Sequence, residues 1–340
     1  MQQYKGKPWL SAQGQLVLLK QRGLIIEDEA QAESFLLRLG YYRFSGYAYS
    51  FRDWQESCPI DPSAPYPRKK HASVKINRIV HDNFMADAHF DVIAKLYVFD
   101  KKLRLLIMDA LERIEVSVRS QIAYQLGQQD PLAYLRSDMF HHTFTDCCVK
   151  GAISKHHKWL VEQARLLERS NETFIKHHCD RSILPVPIWV ACEVWDFGTT
   201  TALYGGLKES DQDAISSLYG IQNGRIFAKW LQIIKHLRNI CAHHGRLWNR
   251  EFHEPDLIPS HAIMWMSYFE RNSETKQRIF WALCLCTHML AYLSPKSQWS
   301  TRLIDLINKE MPDLSSFGLG VYNMGMLPDW EVTLRAIKNP

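Results

Sequence analysis

Residues 225–250 read RIFAKWLQIIKHLRNICAHHGRLWNR and carry the clearest helical pattern in the chain. Apolar side chains recur at intervals of three and four residues from Arg225 to His243, which predicts an α-helix with one buried face. The buried face is expected to hold Ile226, Trp230, Ile233, Ile234, Leu237, Ile240 and Cys241, and the opposite face Gln232, His236, Asn239 and His243. Gly245 is expected to end the helix, because glycine readily takes the left-handed backbone of a helix C-terminus.

Three polar residues of this segment form a set that can cleave RNA without a metal ion. A 2′-hydroxyl attacks the neighbouring phosphodiester when one group moves protons and a cation stabilises the charge that develops on the phosphate. His243 can move the proton, since imidazole titrates near neutral pH. Arg238 can stabilise the charge, because a guanidinium stays protonated and donates parallel hydrogen bonds to phosphate oxygens. Arg238, Asn239 and His243 are the predicted catalytic residues, with Asn239 orienting the phosphate or the histidine.

The spacing of Arg238 and His243, Arg-x4-His, resembles the motif of the HEPN superfamily of RNases. The whole block, RNICAHHGRLWNR at 238–250, is more closely similar to the signature of the bacterial abortive-infection Abi-like family, of the AbiD/AbiF type. Further blocks resemble that family in the same order along the chain: KPWLS (7–11), LLKQRGL (18–24), FLLRLGYYRFSGYAYSFR (35–52), LYVFDKKLRLLIMDALERIEVSVR (96–119) and PIWVACEVWDFGT (187–199).

This resemblance implies an all-α, HEPN-type helical bundle with a small N-terminal helical extension. It implies a metal-independent endoribonuclease of phage defence that needs no cofactor and takes RNA as its substrate. In HEPN proteins two motifs meet across a two-fold interface, which implies a homodimer with a composite site. Such an interface supplies the acid and the base that one Arg–His pair cannot provide alone. The resemblance is also compatible with a small non-coding RNA as a partner that restrains a toxic nuclease.

Further residues are predicted to contact RNA. Four of them follow the motif directly: His244, Arg246, Asn249 and Arg250. These four either contact phosphate or fix the turn after the helix through hydrogen bonds and ion pairs. Lys69 and Lys70 belong to a basic stretch for which a solvated loop is the alternative. Arg43 stands in an aromatic block, Tyr41 to Tyr47, that suits either base stacking or core packing.

Two other functional classes stay open. A non-catalytic RNA-binding or protein-interaction module of a defence or toxin–antitoxin system would use the motif only to hold its partner. A structural helical protein would expose the polar face to solvent and use it for nothing else. A titratable histidine beside the arginine favours catalysis, because a pure binder does not need one.

A second Arg-x4-His, from Arg136 to His141, lies in a segment with a poorer helical pattern and is interpreted as coincidence. Glu112, Glu115 and Arg119 of the long helix could support the site, and for Glu115 and Arg119 a surface ion pair is the alternative.

Composition indicates a protein of the cytoplasm. Of the 340 residues 46% are hydrophobic, which is ample for a core, and no hydrophobic signal segment opens the chain. The longest apolar run, Ile279 to Leu293, is about five residues short of a membrane span and is expected to form a buried helix. Eight cysteines without a CxxC pair favour a reducing compartment, and the histidine pairs show no metal-ligand spacing, so no metal site is predicted. The net charge of +5 permits nucleic-acid binding without requiring it.

Helices are expected at 11–22 and 27–39, and one long helix from about Phe90 to Leu126. Residues 55–71 contain four prolines and are expected to form a loop. The expected organisation is an N-terminal helical and aromatic extension (1–54), a proline-rich basic loop region (55–82), the helical bundle (83–325) and a C-terminal tail (326–340).

Overall fold

The structure is a computed structural model that describes residues 8–57, 77–146, 153–181, 184–252, 263–270, 275 and 277–337. Within these residues helices dominate, and the strands form one two-stranded sheet. The expected all-α class is therefore confirmed. The helices are α1 (Ala12–Gln21), α2 (Glu29–Leu39), α3 (Tyr41–Ala48), α4 (Phe90–Gly127), α5 (His142–Thr145), α6 (Lys155–Glu168), α7 (Thr173–Asp180), α8 (Ile188–Ala191), α9 (Phe197–Gly206), α10 (Glu209–Ser217), α11 (Gly224–Ala242), α12 (Ser267–Glu270), α13 (Ile279–Leu293), α14 (Trp299–Glu310) and α15 (Trp330–Ile337).

The chain divides into two compact units. The first comprises residues 1–101 and 309–320, and the second comprises residues 102–308 and 321–340. No sequence feature marks a boundary at Lys101, because the apolar pattern of the long helix runs through that position.

The first two helices of the first unit begin and end at the residues that local chemistry favours. The Ser11 hydroxyl accepts a hydrogen bond from the Gly14 amide at 3.2 Å, and the Asp28 carboxylate accepts one from Gln31 at 2.8 Å. Gly23, with a φ of 89°, follows the end of α1. The helices predicted at 11–22 and 27–39 are confirmed to within two residues at each end.

The aromatic block forms α3 and contributes mainly to the core of the first unit. Phe44 is fully buried and its ring stacks on Phe90, with 4.4 Å between centroids. The buried Tyr47 hydroxyl donates a hydrogen bond of 2.6 Å to Asp100. Core packing is therefore the correct interpretation for these two side chains, whereas Tyr42 and Arg43 are exposed.

Two strands, β1 (Arg52–Ser57) and β2 (Asn77–Phe84), form an antiparallel pair that the sequence did not predict. The expectation of a loop from residue 55 is wrong for residues 55–57, which belong to β1. The mainly polar segment RDWQES lacks the alternating apolar pattern of a half-buried strand, and its pairing rests on backbone hydrogen bonds to a distant segment. The rest of the predicted loop, with Lys69 and Lys70, lies outside the described residues.

The 38-residue helix α4 confirms the long helix expected from Phe90. In the second unit its apolar side chains Leu103, Ile107, Ile114, Val118 and Ile122 are completely buried. The Trp299 indole donates to the Leu106 carbonyl at 2.7 Å, and the Ser117 hydroxyl bonds to that of Tyr219 at 2.8 Å. Because α4 contributes a continuous buried stripe, it is a central element of this core.

Helix α13 confirms the buried helix expected at Ile279 to Leu293, and nearly all of its side chains are buried. It packs against α11 and α15. Among the described helices, none combines the length and the hydropathy that crossing a membrane requires. His288 lies within this core, where its Nε2 donates to the Tyr219 carbonyl at 2.8 Å and its Nδ1 accepts from Trp265 at 3.3 Å. Burial lowers the pKa of His288 to about 4, so the imidazole is neutral.

The segment expected to be a C-terminal tail contains α15. Its residues Trp330, Leu334 and Ile337 are buried, at spacings of three and four residues. These eight residues were missed because a helix of two turns gives too short a pattern to stand out from a polar tail.

Candidate active site at the end of helix 224–242

The motif lies on α11, whose two faces are those expected from the sequence. The side chain of Asn223 caps the helix by accepting from the amides of Arg225 at 2.9 Å and Ile226 at 3.1 Å. Trp230, Ile234, Leu237, Ile240 and Cys241 are buried, and Ile226 and Ile233 are half-buried. Gln232, His236, Asn239 and His243 are all exposed. The predicted division into an apolar and a polar face is confirmed.

The helix ends one residue earlier than expected, and His244 rather than Gly245 takes the left-handed backbone, with a φ of 56°. Two hydrogen bonds close this end, from Gly245 N to Ile240 O at 2.8 Å and from His244 N to Cys241 O at 3.0 Å, which is a Schellman motif. The prediction for Gly245 is therefore wrong in position. Gly245 instead fits a tight space, since a Cβ there would lie 3.0 Å from Ile240 Cγ2.

His243 is consequently the cap residue, just outside the last helical turn. Its amide donates to the Asn239 carbonyl at 3.0 Å, so the backbones of Asn239 and His243 are directly joined. Both side chains are exposed. This end of α11 therefore presents an amide and an imidazole together to solvent, as the sequence predicted.

Arg238 forms an ion pair with Glu115 of α4, with 3.7 Å between Nε and Oε2. The Glu115 side chain is 16% exposed and that of Arg238 is 32% exposed. Burial raises the pKa of the Glu115 carboxyl; Arg238 and Arg119 oppose this shift, and Asp196 adds to it. Among the described residues, the buried Nε of Arg238 has no hydrogen-bond partner. The guanidinium is therefore held by charge rather than by a hydrogen bond at Nε.

Arg119 has a different role from the surface ion pair considered for it. Its Nη1 donates to the backbone carbonyls of Glu193 at 2.9 Å, Trp195 at 3.3 Å and Cys192 at 3.4 Å. This contact joins α4 to the segment before α9. Of the two interpretations of Glu115, the structure favours support of the motif, because its carboxylate pairs with Arg238.

Helix α4 also contacts the chain just after the motif helix. Arg104, which is 5% exposed, donates from Nη1 to the Gly245 carbonyl at 3.2 Å. Arg104 and Glu115 are eleven residues apart, so they lie on nearly the same face of α4, about three turns from each other. Two side chains of one helix therefore hold both Arg238 and the turn that follows His243.

The residues that follow the motif, from Leu247 to Arg250, form contacts that fix the turn after α11. Leu247 and Trp248 are completely buried and anchor it to the core. Asn249, with a φ of 51°, accepts a hydrogen bond of 3.1 Å from Arg278. Arg250 donates to the carbonyl of Arg246 at 3.4 Å. Asn249 and Arg250 thus have turn-fixing contacts, while the His244 side chain is exposed.

The other predicted RNA-binding residues are Lys69, Lys70 and Arg43. Lys69 and Lys70 lie outside the described residues, and Arg43 is an exposed residue of α3 in the first unit. Among the described residues, no three His, Cys, Asp or Glu side chains lie close enough together to hold a metal ion.

The second Arg-x4-His has structural roles at both ends. Arg136 pairs with Asp130 and Asp138, each at 2.7 Å, and the pKa of both carboxyls is lowered mainly by hydrogen bonds from Arg136. The His141 side chain accepts from the Thr143 amide at 3.3 Å and caps α5. These contacts agree with the interpretation of this spacing as coincidence.

Comparison with known proteins finds that a family model described as Abi-like protein matches residues 34–249, which is more than half of the chain. The match includes α4 and α11, and so every residue of the ion pair and the motif. Neither the curated proteins nor the solved structures gave a match.

Proposed function

The chain belongs to the Abi-like protein family, and from this premise we propose that it is a metal-independent endoribonuclease of HEPN type, acting in phage defence by abortive infection. Family membership supports the defence role. The observation that carries the enzymatic part is that the end of α11 exposes Asn239 and His243 and, five residues before His243, carries an arginine that pairs with a largely buried carboxylate of α4.

The proposed reaction is attack of a ribose 2′-oxygen on the adjacent phosphorus. The O2′–P bond forms while the P–O5′ bond breaks, leaving a 2′,3′-cyclic phosphate and a 5′-hydroxyl. A base accepts the 2′-hydroxyl proton, and an acid delivers a proton to the departing 5′-oxygen. His243 performs one of these transfers. Arg238 stabilises the added negative charge on the non-bridging oxygens, and Asn239 orients the phosphate or the imidazole.

Glu115 is a positioning residue in this mechanism. Its carboxylate, poorly hydrated beside the guanidinium, restricts the conformations of Arg238 before RNA binds. A preorganised cation costs less reorganisation in the transition state than a freely moving one. Arg238 keeps part of its surface exposed, as contact with a phosphate requires.

A homodimer completes the proposal, because the reaction needs an acid and a base and each motif contributes one His243. Two motifs facing each other across a two-fold axis would supply both groups. A structured RNA that binds the protein is the proposed means of keeping the nuclease inactive. If the folded protein binds RNA tightly and never cleaves it, the alternative of a non-catalytic RNA-binding module replaces the enzyme.

The test is RNA cleavage by purified protein carrying Arg238→Ala or His243→Ala. Each change is expected to lower the cleavage rate by about a hundredfold or more. Arg225→Ala and His177→Ala are matched controls at exposed positions and should cleave normally. Cleavage should persist in EDTA and yield cyclic-phosphate or 3′-phosphate ends. Full activity of folded His243→Ala would overturn the assignment, and a requirement for added Mg²⁺ would indicate a metal nuclease.

A further inference from the structure

A cleft of about 510 Å³ opens in the second unit beside the motif helix. Its walls come from α5, α6, α9 and α11, and they include Lys155, Lys158, Trp159, Thr199, Gly205 and Gln232. Trp159 is buried, and its indole donates to the Thr199 carbonyl at 2.9 Å, so α6 and α9 are fixed to each other at the wall. The volume is within the range of about 300–1,000 Å³ that is usual for small-ligand sites.

The charge at this cleft is positive. Lys155 and Lys158 are exposed, and neither forms an ion pair with the residues that the structure describes. Glu162 also lines the cleft, but its carboxylate pairs with Arg165 at 3.5 Å. The Ser154 hydroxyl caps α6 one residue before Lys155, accepting from the His157 amide at 3.1 Å. Two cations near the N-terminus of a 14-residue helix attract an anion.

Gln232 connects this cleft to the motif. It is exposed on α11 eleven residues before His243, which places the two side chains within about 20° of the same helix face and ~16 Å apart along the axis. Asn239 and His236 lie between them on that face. A strand of RNA that follows the polar face of α11 from His243 therefore reaches the cleft.

We propose that this cleft is a subsite for a nucleotide of the RNA substrate, a few nucleotides from the bond that is cut. The inference rests on the proposed function and deepens it by identifying single-stranded RNA as the substrate class. Lys155 and Lys158 contact the backbone phosphates. The amide of Gln232 supplies hydrogen-bonding groups at the rim where the strand enters.

Binding is measured with a 2′-O-methylated single-stranded RNA, which lacks the attacking hydroxyl and so reports affinity independently of cleavage. The double variant Lys155→Ala/Lys158→Ala should bind about tenfold more weakly. The slope of log affinity against log salt should become shallower by about 1.4, or ~0.7 for each phosphate of the single strand that a lysine no longer neutralises. Lys296→Ala, which changes an exposed lysine away from the cleft, is the matched control and should bind normally.

A second variant blocks the cleft without removing charge. Gly205 is exposed on the cleft wall and a Cβ there would meet nothing within 4 Å, so Gly205→Trp is chosen to place a bulky side chain at the cleft. This variant should bind the 2′-O-methylated RNA more weakly than the wild type does, while its melting temperature stays close to that of the wild type. Cleavage assays test both cleft variants in a second way. For an RNA long enough to reach the cleft, KM should rise with kcat unchanged. A dinucleotide should be cleaved by the variants as it is by the wild type.

The outcomes separate the two hypotheses. Normal affinity and salt slope in both cleft variants would overturn the subsite, even if the wild type cleaves RNA. Weakened binding of the uncleavable RNA without any cleavage by the wild type would support the subsite and reject the nuclease. Equal weakening by Lys296→Ala would show general charge attraction and would also overturn the subsite.

Discussion

Glu115 and Arg238, which are 123 positions apart in the sequence, form an ion pair of 3.7 Å between the longest helix and the motif helix. This pair connects the candidate site directly to a scaffold element of the second unit. The partly buried carboxylate gives the arginine a fixed anionic neighbour on the protein side and leaves part of its surface available to a ligand.

Replacing Glu115 should lower activity with little effect on folding. Glu115→Ala frees the Arg238 side chain, and misplacement of a catalytic cation is expected to lower kcat by roughly tenfold to a hundredfold. Glu115→Gln keeps the shape and should retain more activity than Glu115→Ala. The exposed neighbour Glu112→Gln is the matched control. Unchanged kcat in folded Glu115→Ala would remove Glu115 from the mechanism.

The two faces of α11 should respond differently to alanine. Leu237 is completely buried, so Leu237→Ala should lower the free energy of unfolding by roughly 2–5 kcal/mol. Asn239 is exposed, so Asn239→Ala should lose cleavage activity with little change in melting temperature. Denaturant unfolding and cleavage are measured on both variants. Equal destabilisation by the two changes would contradict the assignment of the faces.

The buried His288 should make stability depend on pH. Its folded-state pKa of about 4 lies below the ordinary value of 6.5, because burial disfavours the imidazolium. As the pH falls from 6.5 to 4, the unfolded chain takes up a proton that the folded chain does not. The contribution to the free energy of unfolding, about 3 kcal/mol, is therefore present above pH 6.5 and lost by pH 4.

The free energy of unfolding, measured by urea titration across that pH range, should depend less steeply on pH for His288→Gln than for the wild type. His177→Gln changes an exposed histidine and should leave the dependence as it is. The burial of His156 also lowers its pKa and acts in the same direction, so some dependence should remain in His288→Gln. An identical pH profile for His288→Gln and wild type would refute the prediction.

Substitution of His244 should distinguish between turn formation and phosphate contact. Its backbone is left-handed, a conformation that costs a non-glycine residue roughly 1 kcal/mol. His244→Gly should therefore fold at least as stably as the wild type by thermal melting. Weaker RNA binding in this variant would indicate that the His244 side chain contacts phosphate. Normal binding would mean that His244 contributes only to the turn after the helix.

The sequence predicts best what depends on local periodicity. Trp230, Ile234 and Leu237 recur every three to four residues, so the buried face of α11 could be identified without a structure. The apolar run at Ile279 to Leu293 likewise allowed only a buried helix or a membrane span, and its length favoured the first.

Features that depend on distant partners could not be predicted in the same way. The pairing of Glu115 with Arg238 leaves no local signal, and neither does the donation from Arg104 to Gly245. The sheet was missed because β1 is mainly polar. The left-handed residue was placed one position too late, since propensity favours glycine and the tight space beside Ile240 was not visible in the sequence.

The packing of α11 against α13 has a consequence for synthesis on the ribosome. Ile279 is added to the nascent chain 36 residues after His243, so the complete motif is synthesised before one of the helices that pack against α11. A chain interrupted between these points lacks this partner, and Trp230 in particular loses its ring contact with His288 of α13. A translation product that stops there would contain every motif residue and yet expose apolar surface of α11 that the full chain buries.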